Sequence, residues 1–237
     1  MIRGTMNLEQ ASEHVHLEAN ELRHYAQRGE IDAVKRGDDY VFEISKLNEW
    51  AQRNMLSQSR KALAEQHKSM LAQFAKEKKL DWSVVEYFNF EAMTLDLAAK
   101  GKGGVIRDMT DLADKSTCLY DPETLYKELV AREEIASTAV GGGVAFLHPR
   151  FHDPYIFSES FIAYARSPRG VFFGADDGEP TRHFFLICST DHEEHLHILA
   201  RLAMIAQDKD AVAKLDAAES LEEVLNVIGE AEKGYRK

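Results

Sequence analysis

The chain has 237 residues, 44% of them hydrophobic, which is enough apolar content for one large domain or two smaller ones, and two is the expectation. A formal charge of −11 argues against a general nucleic-acid or anionic-membrane binder, because both attract basic surface, and leaves only a local basic face to consider. Cys118 and Cys188, the only cysteines, have neither metal-ligand spacing nor disulfide density, and no stretch is apolar enough for a leader or a membrane span; reduced, buried thiols in a cytoplasmic, membrane-free protein are expected.

Along the chain, Asn7 is placed to cap a helix over "LEQASEHV", and "EANELRHYAQRGEI" predicts a second helix ending at Gly29. Gly37 stands in a tight connection before an apolar, aromatic run, so residues 1–54 read as helix, turn, helix and a small hairpin wing. Residues 55–83 contain no proline or glycine and carry Leu63, Met70, Leu71 and Phe74, which predicts a helical linker whose heptads are too broken for a coiled coil. From residue 84 to 237 helical and strand patterns alternate, predicting an α/β domain. Asp121 followed by Pro122 opens a helix over "DPETLYKELVAREE". The runs "GVAFL", "FIAYA", "GVFFGA" and "RHFFLICS" are four candidate strands; "DHEEHLHILARLAMIA" returns to helical periodicity, and "SLEE" is a capping box for the last helix.

The stretch "GGGVAFLHPR" raises the functional question. A nucleotide-binding loop needs lysine and a hydroxyl directly after its last glycine, whereas Val144 and Ala145 follow Gly143. A dinucleotide fingerprint runs strand, glycines, helix, and the order here is the reverse. Zinc is disfavoured too: His195 and His197 of "DHEEHLH" would point about 200° apart on a helix, and His192 with His195 makes only two ligands. No metal site and no cofactor are therefore expected, and surface histidines on a charged helix start are the simpler reading of that motif. For His148 two readings stay open. One is a core or surface histidine. The other is a phosphoryl acceptor, which needs a neutral, exposed ring nitrogen at the strand end, a cation such as Arg132, and anion-favouring groups such as His195 at a helix start.

"REEIASTAVGGGVAFLHPR" resembles the phosphorylation-site segment of phosphotransferase-system enzyme IIA domains of the fructose, mannitol and nitrogen-regulatory type, which read R-E-x-x-x-S-T-G-I-G-x-G-I-A-I-P-H-G. Arg132, Glu133, Ser137, Thr138, Gly141, Gly143, Ala145 and His148 match without a gap. "GVFFGADDGEPTRHFFLICSTDHEEHLHILARLA" is similar to the family's second block and sets His195, rather than His197, on its second active-site histidine. The resemblance implies a mixed β-sheet flanked by helices and a phosphoryl group carried on His148, with Arg132, His195 and the Thr138 hydroxyl beside it. It also implies an HPr-like phosphocarrier protein as donor and a IIB domain or a regulated protein as recipient: half of a relay, not an enzyme with a free small-molecule substrate. Leu147 stands where the family has proline, Pro149 where it has glycine, and Ala139 where a glycine follows Ser-Thr. Pro149 removes one backbone donor near the phosphoryl group, and Arg150 offers charge instead.

Residues 6–50 resemble excisionase and MerR-like winged helix-turn-helix domains through Glu9, Ala11, Leu17, Leu22, Gly29, Glu30, Ala33, Gly37, Leu47 and Trp50. That resemblance implies DNA contacts from Asn20, Arg23, His24, Arg28, Lys35 and Arg36, on a surface that also carries Glu18, Glu21, Asp38, Asp39 and Glu43. The combined expectation is a regulator in which a IIA-type phosphohistidine domain is coupled to the N-terminal module. The alternatives are a DNA-binding transcriptional regulator that uses the IIA fold as a sensor without phosphotransfer, and an interaction module that has lost phosphotransfer.

Overall fold

The computed structural model describes residues 4–74, 83–150 and 156–234. Contacts divide the chain into two units, Met1–Asp81 and Trp82–Lys237, each with its own core.

In the first unit, β1 (Thr5–Asn7) leads into α1 (Leu8–Val15), then α2 (Ala19–Gln27), β2 (Ala33–Arg36), β3 (Asp39–Glu43), α3 (Ile44–Ser57) and α4 (Arg60–Phe74). Asn7 and Gln10 form a reciprocal capping box: the Asn7 side chain accepts from Gln10 N at 2.9 Å and the Gln10 side chain from Asn7 N at 3.2 Å. The expected hairpin is β2–β3, turning at Gly37 with φ 63°, and β1 adds an unexpected third strand on β3. Leu8, Ala11, Val15 and Leu22 pack on Phe42, Leu47 and Trp50. The expected linker helix is α4, separated from α3 by a break at residues 58–59; α3 itself runs through residue 54. Residues 75–82 of that linker lie outside the described residues.

The second unit opens with a short 3-10 turn (Val84–Tyr87) and continues as β4 (Phe88–Thr94), α5 (Lys102–Asp114), α6 (Pro122–Ile135), β5 (Ala139–Gly141), β6 (Val144–Leu147), β7 (Phe161–Val171), β8 (Thr181–Cys188), α7 (His192–Ala206), α8 (Lys209–Ala217) and α9 (Leu221–Lys233). The strands form one mixed sheet in the order β4-β7-β8-β6-β5, with β4/β7 and β6/β8 parallel and β7/β8 and β5/β6 antiparallel. Helices α5 and α6 cover one face, packing Val105, Ile106, Met109, Leu125 and Leu129 on Ala145, Leu147, Ala163, Phe184 and Leu186. Strand alternation turns Phe146, Tyr164 and Phe185 to the opposite face, where α7 and α9 pack. Cys118 and Cys188 are free and buried, and burial pushes both thiols up, away from the reactive thiolate.

Two expected strands, "FIAYA" and "GVFFGA", are one strand, β7, whose register shifts between Arg166 and Val171. Pro168 is tolerated there because β4 ends opposite Ala165, so the proline's missing N–H costs no ladder bond on that edge. Gly170, at φ 68°, absorbs the irregularity, and residues 172–175 leave the sheet.

The glycine run is a hairpin turn. Gly141, Gly142 and Gly143 all have positive φ (82°, 62°, 81°), connecting β5 to β6. Asp177 fixes the turn by accepting the Gly142 N–H at 2.8 Å; that bond and one from Glu179 hold its carboxyl below the usual range. A Cβ on Gly141 would lie 2.9 Å from Asp177 Oδ2 and displace that carboxylate, and φ 82° strains any side chain at this position. The turn thus delivers β6 into the sheet and puts His148 directly past its last residue, beside the end of its parallel neighbour β8.

Candidate functional site

Three side chains converge at the end of β6 from three elements. Arg132 comes from the last turn of α6, His148 from the exit of β6 and His195 from the first turns of α7. All three are buried, at 3%, 1% and 0% exposure.

Arg132 links the helix end to the histidine. Its Nη1 donates to Ala136 O at 2.9 Å, closing the C-terminal end of α6, and its Nε donates to His148 Nε2 at 3.1 Å. The other ring nitrogen, Nδ1, lies 2.8 Å from Phe146 O. A carbonyl can only accept, so Nδ1 carries the ring proton and Nε2 presents its lone pair to Arg132. The backbone of the same strand therefore sets the tautomer of His148 and decides which nitrogen is nucleophilic.

The His195 ring packs on that of His148, with centroids 5.0 Å apart and planes at 56°. The helix start contributes less than the sequence suggests: the Asp191 carboxylate takes the Glu194 N–H at 2.8 Å, and Asp191 O takes that of His195 at 3.2 Å. At these two positions α7 offers a side chain, not free N–H groups. Arg201, farther along α7, pairs with Glu232 of α9 at 3.7 Å, both buried, which fixes the helix on its neighbour.

Two expectations are corrected here. The "DHEEHLH" histidines are not a surface set: His195 and His197 are fully buried, because beyond its acidic first turn α7 is mostly apolar and buried, with the paired Arg201 its one further Lys, Arg, Asp or Glu. His148 is not exposed either, although the acceptor reading of the sequence asked for an exposed ring nitrogen. Leu147, where the family pattern has proline, pairs opposite Leu186 and packs into the core beneath α5 and α6.

Thr138, also buried, does not spend its proton at the ring. Its hydroxyl donates to Glu133 Oε2 at 2.7 Å and its N–H donates to the same oxygen at 3.0 Å, while Glu133 Oε1 accepts from Lys102 Nζ at 2.8 Å. The Thr138 carbonyl accepts from Phe146 N at 3.0 Å, tying this network to the strand that orients His148. Sequence reasoning missed Lys102 and gave Glu133 no role; only its place next to Arg132 in "REE" signalled it.

Asn20, His24, Arg28, Lys35 and Arg36 are exposed in the first unit, the first two on α2, Arg28 at its C-cap and the last two on β2; Arg23 is half-buried. Arg28 is drawn to Glu30 at 2.9 Å and lies over the Tyr25 ring, and Glu18, Glu21, Asp38, Asp39 and Glu43 are exposed alongside. Among the described residues no group of three or more His, Cys, Asp or Glu is placed to hold a metal ion, and no helix is long and apolar enough to cross a membrane.

The domain is thus a mixed sheet between helix layers, with a tautomer-fixed histidine and an arginine together at one strand end. Residues 86–231 match the family described as phosphoenolpyruvate-dependent sugar phosphotransferase system, EIIA 2, and the chain belongs to that family. The first unit lies outside the match. A fructose-specific EIIA component of Haloferax volcanii is 32% identical over 142 residues, 59% of this chain and 90% of that protein. A fructose-specific EIIABC component of Bacillus subtilis is 28% identical over 152 residues, 63% of this chain but only 24% of that longer protein. Among solved structures, the nitrogen regulatory protein IIA-Ntr of Neisseria meningitidis superposes with a TM-score of 0.51 at 26% identity, covering 61% of this chain and 98% of that one.

Proposed function

We propose that the protein is a phosphohistidine carrier of the phosphotransferase system that takes a phosphoryl group on Nε2 of His148. The observation that carries this reading is the pair of bonds on the His148 ring: Nδ1–H held by Phe146 O and Nε2 held by Arg132. Transfer runs in line. The donor's N–P bond breaks as the Nε2 lone pair forms the new one, and the donor's ring leaves with the electron pair. Nδ1 keeps its proton on Phe146 O, so the phosphorylated ring starts as a phosphoimidazolium, whose nitrogen is the better leaving group for onward transfer.

The lone pair cannot accept from Arg132 and attack phosphorus at once. Arg132 therefore guards Nε2 in the resting state and shifts its N–H onto an equatorial phosphoryl oxygen as the donor arrives, with His195 donating from the other side. The donor fitting this chemistry is an HPr-like phosphocarrier protein, and the recipient is a IIB domain or a regulated protein, in the cytoplasm. Incubation with phosphoenolpyruvate, enzyme I and the phosphocarrier should give an acid-labile phosphate on the wild type and none on His148→Ala. An unlabelled wild type, alongside a control IIA domain that labels, overturns the reading.

For the first unit we propose a winged helix-turn-helix that couples phosphorylation to regulation, read from α1, α2 and the β2–β3 hairpin with Asn20, His24, Lys35 and Arg36 exposed. Its expected signature is DNA binding that weakens with salt and with Lys35→Ala/Arg36→Ala. No binding at low salt leaves α2 and the hairpin as a protein-docking surface, consistent with the acidic residues between them.

A further inference from the structure

Glu133 is a nearly buried carboxylate one residue from the arginine that holds His148, and a negative charge there opposes the arrival of a phosphoryl group. Both of its oxygens are occupied. Oε1 is 2.8 Å from Lys102 Nζ, and Oε2 takes the N–H and hydroxyl of Thr138 at 3.0 and 2.7 Å. Lys102 is the first residue of α5, its ammonium half in solvent and 5.1 Å from the centroid of the Phe173 ring. The carboxylate thus joins three elements: the start of α5, the end of α6 and the segment entering β5.

Two consequences follow from the chemistry of these groups. First, Glu133 folds the exit of α6 back on itself, because it grips Thr138 five positions along, and Thr138 O then takes the Phe146 N–H at 3.0 Å. The residue before His148's neighbour Leu147 is thereby fixed to the same helix end that carries Arg132. Second, Lys102 cancels the charge of Glu133. Without it a buried, uncompensated carboxylate would remain one position along the chain from Arg132, and a full charge in a low-dielectric setting competes for a guanidinium more strongly than a neutral imidazole nitrogen does.

We propose that Lys102 and Glu133 are positioning residues for phosphoryl transfer to His148: Glu133 sets the distance between the Arg132 helix end and the His148 strand end, and Lys102 neutralises Glu133 so that Arg132 stays on the acceptor nitrogen. This rests on the phosphocarrier reading. It assigns the Thr138 hydroxyl a structural bond in the resting state, its single proton being held by Glu133.

The test uses the full chain and two readouts. Initial rates of phosphate uptake are measured for wild type, Lys102→Met, Lys102→Arg, Glu133→Gln and the Lys102→Met/Glu133→Gln double variant. Lys102→Met should be slower by about tenfold or more, since it strands the carboxylate. Lys102→Arg should restore the rate, and the double variant should be faster than Lys102→Met, because glutamine still accepts from Thr138 but carries no charge. The second readout needs no phosphoryl donor: the ¹⁵N shift of His148 Nε2 should move in Lys102→Met as Arg132 leaves it, and return in the double variant. A wild type that fails to label overturns the carrier reading, while the ¹⁵N comparison still decides this one. Wild-type uptake and an unmoved Nε2 shift in Lys102→Met, or a double variant no faster than Lys102→Met, overturn the positioning role. Should Lys102→Met melt below the assay temperature, Glu133→Gln decides: a rate within about threefold of wild type is expected, and a loss beyond tenfold contradicts the charge argument.

Discussion

Arg132→Met should slow phosphate uptake by about 10²- to 10³-fold, the loss typical of removing one preorganised donor from a site of developing negative charge. Arg132 is buried and its Nε donates to His148 Nε2 at 3.1 Å, so under the proposed transfer its N–H has only to turn from that nitrogen onto an equatorial phosphoryl oxygen. Methionine keeps the apolar stem, so the protein should fold, losing about 1 kcal/mol with the bond to Ala136 O. Lysine should not rescue, because one ammonium cannot hold the helix end and Nε2 together as the planar fork does. Quenched initial-rate measurements check this. A wild-type rate in Arg132→Met would reduce Arg132 to a helix cap.

Phe146→Ala should cost about 3–5 kcal/mol, the usual loss for emptying a buried aromatic site, and lower the melting temperature of the second unit by roughly 6–20 °C. Phe146 is fully buried in β6 and packs on Phe185 with centroids 5.7 Å apart. The bonds that serve His148 belong to its backbone: its N–H goes to Thr138 O and its carbonyl takes Nδ1–H. Well below the new melting point, uptake per folded molecule should therefore stay near wild type. Calorimetry paired with uptake rates separates the two effects; a loss under about 1 kcal/mol would mean the site collapses around the missing ring.

Local chemistry was legible wherever one short stretch decides the structure. Asn7, Asp121 and Ser220 each cap the helix that follows, as their positions predict, accepting the backbone N–H their side chains can reach; Asp191, not singled out in the sequence, does the same for α7. In "SLEE", Glu223 departs slightly, turning to the N–H of Glu219 rather than that of Ser220. Strands fared less well, because their partners are distant: β1 and β5 have three residues each and exist only through pairing with β3 and β6. The pair of motifs naming Arg132, His148 and His195 could be read in order along the chain, and the fold brings those three together. Lys102 and Glu133, 31 positions apart, could not be paired in that way. Their ion pair depends on α5 and α6 packing on the same sheet face, which no local pattern encodes. The burial of His148 was hidden for the same reason, since the ring against it comes from α7.

The most direct measurement is ¹⁵N and ³¹P NMR of the ring-labelled protein after phosphorylation by phosphoenolpyruvate, enzyme I and the phosphocarrier. The geometry predicts one phosphohistidine, with nitrogen–phosphorus coupling at Nε2 of His148 and the Nδ1 proton still bonded to Phe146 O. Phosphate on Nδ1, on another histidine, or on no residue while a control IIA domain is labelled, would contradict it.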